Sequence, residues 1–350
     1  MNRKDRRTAA KIGKKQIKPG ATPSALDNVV QKAIKAVQAG AFAEAEAALN
    51  EVLVRSPAHV EALHQKGMLL ARTHRVEEGL ALLRRATSEK PGEALYWNNL
   101  SAACLTVEHS DEALAAARKA VELDPMYGMA WHNLAMAATD LGRHRDAADA
   151  LTKATVLLPN DVDIWNRLGV ARLELGDAAG AETAFAKAVA IGPKNVESLS
   201  NLGVLLARGG RAAQALPHLE KAVATEPDRF TAALHYGIVL TATGDHAKGL
   251  RWLRRATSIQ PRSDVAWGAL SDAAIAAGEQ AEALDAARRA AEFAPSDRVH
   301  RHRLQKLQPA SEQPRSTLVE LDLGIPAAPR APEPSTDPDL SRSLDQIIIR

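Results

Sequence analysis

From about Leu26 to Leu307, apolar and small residues recur every three or four positions, with charged residues between them. That period puts one apolar stripe on each of a series of helices and predicts an all-α chain. The stripes are interrupted at fixed places. Pro57, Pro91, Pro125, Pro159, Pro193, Pro227, Pro261 and Pro295 follow one another at a constant 34-residue interval. Proline has no N–H and pushes the residue before it out of the α region, so each one ends a helix. Gly40, Gly142, Gly176, Gly210, Gly244 and Gly278 lie 17 residues before their prolines, where two helices must be joined by a reversal. Glycine takes the left-handed conformation of such a helix end at little cost. Each unit is therefore expected to be a helical hairpin, with less ideal turns at His74 and Glu108, which stand where the second and third units lack the glycine.

Two further sets of residues repeat with the units. Small residues 12 positions apart allow the two helices of a hairpin to approach closely: Gly67 with Gly79, Ser101 with Ala113, Ala135 with Ala147, Gly169 with Ala181, Gly203 with Ala215, and Gly237 with Gly249. Trp97, Trp131, Trp165 and Trp267 are followed three residues later by Leu100, Leu134, Leu168 and Leu270. This spacing predicts that both sets face inward from the first helix of the unit. Trp252 is off this register.

The order of bulky residue, leucine, small residue, mid-unit glycine, alanine and closing proline resembles the tetratricopeptide repeat family over eight units, from about Leu26 to Asp297. The resemblance implies a right-handed superhelical solenoid of about eight 34-residue hairpins. The first unit departs most, with Val29, Lys32 and Ala33 at the bulky, leucine and small places, which suits a terminal unit with one face in water. RVHRHRLQKLQ, carrying Val299, Leu304 and Leu307 on an otherwise polar helix, reads as the C-terminal capping helix. The expected organisation is a basic arm over 1–25, the solenoid with its cap over 26–308, and a Pro-rich tail over 309–350. Pro217 is expected to delete a hydrogen bond near the start of a second helix and to kink it.

In the resembled family the first helix of each hairpin lines a concave groove. The register places Asn99, Asn133, Arg167 and Asn201 there, with His235 next in line, and Asn98, His132 and Asn166 one place earlier. An amide offers a donor and an acceptor together, which is what one peptide group of an extended ligand presents. The row is similar to the asparagine ladder in the repeats of O-linked N-acetylglucosamine transferases. Two readings stay open: the amides contact a ligand, or they bond neighbouring helices and stabilise the stack. The carboxylate clamp of chaperone-binding relatives is matched at Asn133 and Arg167 only, because Asn98, Ala102 and Asp163 replace its Lys, Asn and second Lys.

These features point to a non-enzymatic scaffold or adaptor that binds another protein through an extended segment. The alternative is a subunit that delivers substrates to a separately encoded, glycosyltransferase-like transferase. No phosphate loop or nucleophile elbow is present, and no catalytic residue, cofactor or metal is expected. His74, His109, His144 and His246 fall in hairpin turns, and His300 and His302, two apart on a helix, diverge. Cys104 falls on a core position and reads as a small buried hydrophobe.

Charge changes this picture at the ends only. The chain is net +3, but residues 1–18 hold eight Lys and Arg against Asp5, so the arm is +7 and the remainder −4. Such an arm is either solvated or a tether to nucleic acid or anionic lipid. In the tail, TLVELDLGI (317–325) and LDQIIIR (344–350) are apolar islands that could dock in the protein's own groove, bind a partner, or have no role. With one cysteine, no export signal and no apolar run of membrane-spanning length, the expected location is the cytoplasm.

Overall fold

The computed structural model describes residues 25–308; the basic arm and the Pro-rich tail with its islands lie outside the described residues. The described residues form seventeen α-helices and no strand. They divide into two compact units at the Arg143–His144 bond. The first unit contains α1 (Ala25–Gln38), α2 (Phe42–Arg55), α3 (Val60–Arg72), α4 (Val76–Glu89), α5 (Ala94–Leu105), α6 (Ser110–Leu123) and α7 (Gly128–Asp140). The second contains α8 (His144–Leu157), α9 (Val162–Glu174), α10 (Ala178–Ile191), α11 (Val196–Arg208), α12 (Ala212–Thr225), α13 (Phe230–Ala242), α14 (His246–Ile259), α15 (Asp264–Ala277), α16 (Gln280–Phe293) and α17 (Arg298–Leu307). Within each unit, consecutive helices pack as hairpins, and first helices of successive hairpins also touch.

The six mid-unit glycines all have positive φ, from 68° to 90°. His74 and Glu108 have φ of 62° and 59°. The second and third hairpins therefore make the same left-handed reversal as the others, and two side-chain-bearing residues bear its steric cost, roughly 1–2 kcal/mol each. Close approach inside the hairpins follows the small-residue pairs. A Cβ on Gly79 would lie 2.6 Å from the Gly67 carbonyl oxygen, and one on Gly169 would lie 2.4 Å from the Phe185 ring. Where serine takes the small place, it bonds across instead: Ser101 Oγ donates to the Ala113 carbonyl at 2.8 Å and Ser271 Oγ to that of Ala283 at 2.9 Å.

The tryptophans are placed differently from the sequence expectation. Trp97, Trp131, Trp165 and Trp267 are half-buried. Each donates its indole N–H to the carbonyl of the proline six residues earlier (Pro91, Pro125, Pro159, Pro261) at 2.8–2.9 Å. The polar edge of the indole needs an acceptor, and the turn carbonyl supplies one at the surface, so the ring pins the turn to its helix. The core seat goes to the preceding residue, Tyr96, Ala130, Ile164 or Ala266, each buried. Trp252 packs between the two apolar clusters of the second unit, its ring 5.7 Å from that of Tyr236. Pro217 lies inside α12, and the helix continues to Thr225.

The terminal helices behave as ends of a stack. Lys32 on α1 is exposed while Val30 and Ala33 are buried. On α17 the one buried residue is His300, and Val299 and Leu304 are only half-buried. The cap is held by polar contacts more than by the aliphatic residues singled out in the sequence. Arg303 makes a bidentate pair with Asp272 of α15 at 2.7 and 2.9 Å, with 12% of the arginine side chain and 24% of the aspartate exposed.

Candidate functional site

First helices of neighbouring hairpins lie side by side, so equivalent positions form rows across each unit. In the first unit the rows bring together His64 of α3, Asn98 and Asn99 of α5, and His132 and Asn133 of α7. Asn133 donates to the side-chain carbonyl of Asn98 at 2.9 Å and to its main-chain carbonyl at 3.4 Å. Asn98 in turn donates to the Asn99 carbonyl and to the Tyr127 hydroxyl, both at 3.1 Å. Asn99 donates to His64 Nε2 at 2.8 Å. Since an amide N–H must donate, Nε2 accepts and the neutral ring carries its proton on Nδ1, which is buried without a partner.

The surroundings of His64 account for its neutrality. Its ring stacks on Tyr96 with centroids 4.5 Å apart, and burial lowers its pKa against the opposing pull of Glu61 and Glu93. The Tyr96 hydroxyl donates to Glu61 at 2.9 Å; burial and that bond both raise its pKa. This corner is a polar network around one imidazole, closed at every group named except His64 Nδ1.

The second unit repeats the arrangement once and then breaks it. Asn201 of α11 donates to Asn166 of α9 at 3.0 Å, and Asn166 donates to Glu197 at 3.1 Å. Arg167 reaches back to Asp163 at 2.6 Å with 41% of its side chain exposed. One hairpin further on, Ser200 and His235 occupy the places of Asn166 and Asn201. Both are buried, and neither Ser200 Oγ nor His235 Nδ1 has a hydrogen-bond partner. Burial alone pushes the His235 pKa down to about 4.

The residues predicted from the register thus separate by exposure. Asn98, Asn133, Asn166, Asn201 and His235 are more than nine-tenths buried. Asn99, His132 and Arg167 remain half-exposed. Within each unit the amides of successive first helices satisfy one another, which leaves Asn99 and His132 accessible in the first unit and Arg167, held by Asp163, in the second.

One cluster escaped the sequence reading. Asp264 of α15, Asp297, and His300 of α17 place one ligand-type atom each within 4.8 Å of one another. The hydrogen bonds argue against a metal there. Arg303 Nη1 donates to His300 Nδ1 at 2.8 Å, so the ring proton sits on Nε2, which faces Asp264 Oδ2 at 3.2 Å. A metal on Nε2 would need that proton moved to Nδ1, against the guanidinium donor. Asp297 also caps α17, accepting from the Val299 amide at 2.6 Å. The cluster docks the terminal helix. The signal in the sequence was the pairing of His300 with acids 36 and 3 residues away, which helix periodicity does not display.

Cys104 is fully buried, and burial, followed by Glu112, pushes its thiol up to about 12. It is therefore protonated at neutral pH and not nucleophilic. No helix among the described residues is long and apolar enough to cross a membrane.

Comparison with known proteins places this geometry in context. A family model described as tetratricopeptide repeat matches residues 103–160, 132–196 and 200–264, and a second of the same description matches 36–104. Among solved structures, the APC/C hetero-tetramer Cut9-Hcn1 is similar with a TM-score of 0.57 and 17% identity over 83% of this chain and 57% of that one. The present chain thus spans little more than half of that relative. A tetratricopeptide repeat protein from Parabacteroides merdae gives 0.53 and 16% over 71% of this chain and 98% of that one. PilF of Pseudomonas aeruginosa gives 0.52 and 18% over 60% and 95%. At such identities the likeness concerns the fold. No curated protein matches the chain.

Proposed function

Since the chain belongs to the tetratricopeptide repeat family, we propose that it is a non-catalytic protein-interaction scaffold whose first-helix faces bind an extended segment of a partner protein. The observation that supports this reading is the pre-ordered polar row: amides bonded to one another across helices hold Asn99 and its neighbours in fixed rotamers. A side chain already immobilised loses little entropy when a ligand arrives, so ordering is done in the fold and affinity is gained on binding. In the first unit Asn99 and His132 are left to make contact, and in the second Arg167 is. Asn98 bonds Asn99 and is itself bonded by Asn133, so these two hold Asn99 in place.

The test is quantitative affinity capture from the native lysate with the full chain and with an Asn99→Ala, His132→Ala double variant. Thermal melting is followed in parallel. Both residues are half-exposed, so the variant is expected to melt within a few degrees of the parent and to lose most of its captured partner. Undiminished capture by the folded variant would overturn the reading.

A further inference from the structure

If the amides of the first unit are committed to one another, something else on its first-helix face must offer contact area. Resting on the scaffold reading above, we propose that a methionine and leucine strip on this face takes an extended polypeptide segment carrying aliphatic side chains with basic residues alongside.

The strip is assembled by register. Asp27 of α1, Glu61 of α3, Leu95 of α5 and Met129 of α7 stand 34 residues apart at one position of successive first helices. Seven residues further along their helices stand Met68 and Met136, on the same side because two helical turns separate them from Glu61 and Met129. Met126, in the turn before α7, lies three residues from Met129. Leu95 is 43% exposed, Met129 42% and Met126 74%, whereas Met68 and Met136 are half-buried. Met68, Met129 and Met136 therefore belong to this one face, and Met126 stands in the turn that leads into it. The equivalent positions in the second unit hold Asp163, Glu197, Thr231 and Val265, and its Val204 and Ile238 are buried.

Methionine is unbranched and polarisable, and exposed clusters of it adapt to aliphatic groups of different shape. Charge then selects among aliphatic segments. The row runs from two carboxylates, Asp27 and Glu61, into the two apolar residues, and Glu93 lies just before Leu95. Asp27 already faces His59 at 3.1 Å, Glu61 accepts from Tyr96 and Gln65, and Glu93 pairs with the exposed Lys90. A basic side chain toward α1 and α3, with aliphatic ones over α5 and α7, complements this layout. The protein's own TLVELDLGI carries Glu320 and Asp322 and is repelled by it.

The chain holds only five methionines, so methyl-labelled methionine gives a five-signal spectrum in which Met1 is the internal control. The full chain is titrated with the blocked peptide acetyl-Lys-Leu-Lys-Ile-Leu-amide and with its Glu-for-Lys counterpart. The Asn side-chain amides are observed in the same samples. We expect saturable shifts of the Met126, Met129 and Met136 methyls with the basic peptide, and binding weaker by on the order of tenfold for the acidic one. Leu95→Ser with Met129→Gln should abolish the shifts.

Equal response to both peptides, or tighter binding of a 317–325 peptide, would overturn the charge assignment. Methyl shifts that depend on protein concentration alone would give the face to a second copy and overturn the proposal. Shifts at Asn99 with silent methionines would sink the strip and keep the scaffold reading. Silence at both would count against both.

Discussion

Asn201 donates its side-chain amide to the side-chain carbonyl of Asn166 across 3.0 Å, and Asn133 makes the same bond to Asn98 across 2.9 Å. The amides of the repeat register are thus bonded 35 residues apart, between first helices, and serve the stack directly. Removing one member leaves its partner buried and unsatisfied. Asn133→Ala and Asn201→Ala are each expected to lower unfolding stability by about 1–3 kcal/mol, read by urea titration. A double-mutant cycle with Asn98→Ala should return a coupling of about 1 kcal/mol. Additive losses would mean that the bond contributes nothing.

The two reversals without glycine offer gains. His74 and Glu108 sit at φ of 62° and 59° and are exposed. His74→Gly and Glu108→Gly relieve the contact between Cβ and backbone, and each should raise stability by roughly 1 kcal/mol. The melting temperature of the full chain checks this. A fall in either variant would show that the side chain holds the turn.

His235 predicts a pH dependence. Its folded pKa is about 4, below the ordinary value near 6.5, so the unfolded chain binds the proton more readily. The neutral ring's contribution is complete above pH 6.5 and is lost as pH falls toward 4, by roughly 3 kcal/mol at most. Because carboxylates such as Glu112 and Glu182, held low by arginine partners, also weaken the fold in acid, the quantity to measure is a difference. Stability of the parent minus that of His235→Leu should decline between pH 6.5 and 4. A flat difference would mean the imidazole is solvated.

How much of this was legible in the sequence depends on the range of the interaction. The prolines, glycines and small-residue pairs act within one hairpin, and the hairpins follow from them. The half-exposed tryptophans were misplaced because periodicity gives an angle around the helix but not the carbonyl six residues back that draws the indole outward. The Asn–Asn bonds were left as one of two readings. A register at 34 does not reveal that neighbouring helices are offset so that 35 is the contacting interval. The lock on α17 joins residues 31 to 36 apart and has no periodic signature at all.

That lock is testable. Arg303 is nearly buried, pairs with Asp272 and holds the tautomer of His300. Arg303→Ala should release α17, at a cost of about 2 kcal/mol, and raise hydrogen exchange across 298–307 before the rest of the second unit. Unchanged protection of α17 would assign the docking to Leu307 and its apolar neighbours.

The most direct test of the scaffold account is a photocrosslinking amino acid placed, one site at a time, at Gln65 and Asn99 on the first helices and at Lys119 and Lys153 on the exposed side of second helices. The account predicts that Gln65 and Asn99 crosslink to one short segment of a partner protein, while Lys119 and Lys153 do not. Equal crosslinking from all four sites, or none from the first helices in a folded chain, would contradict it.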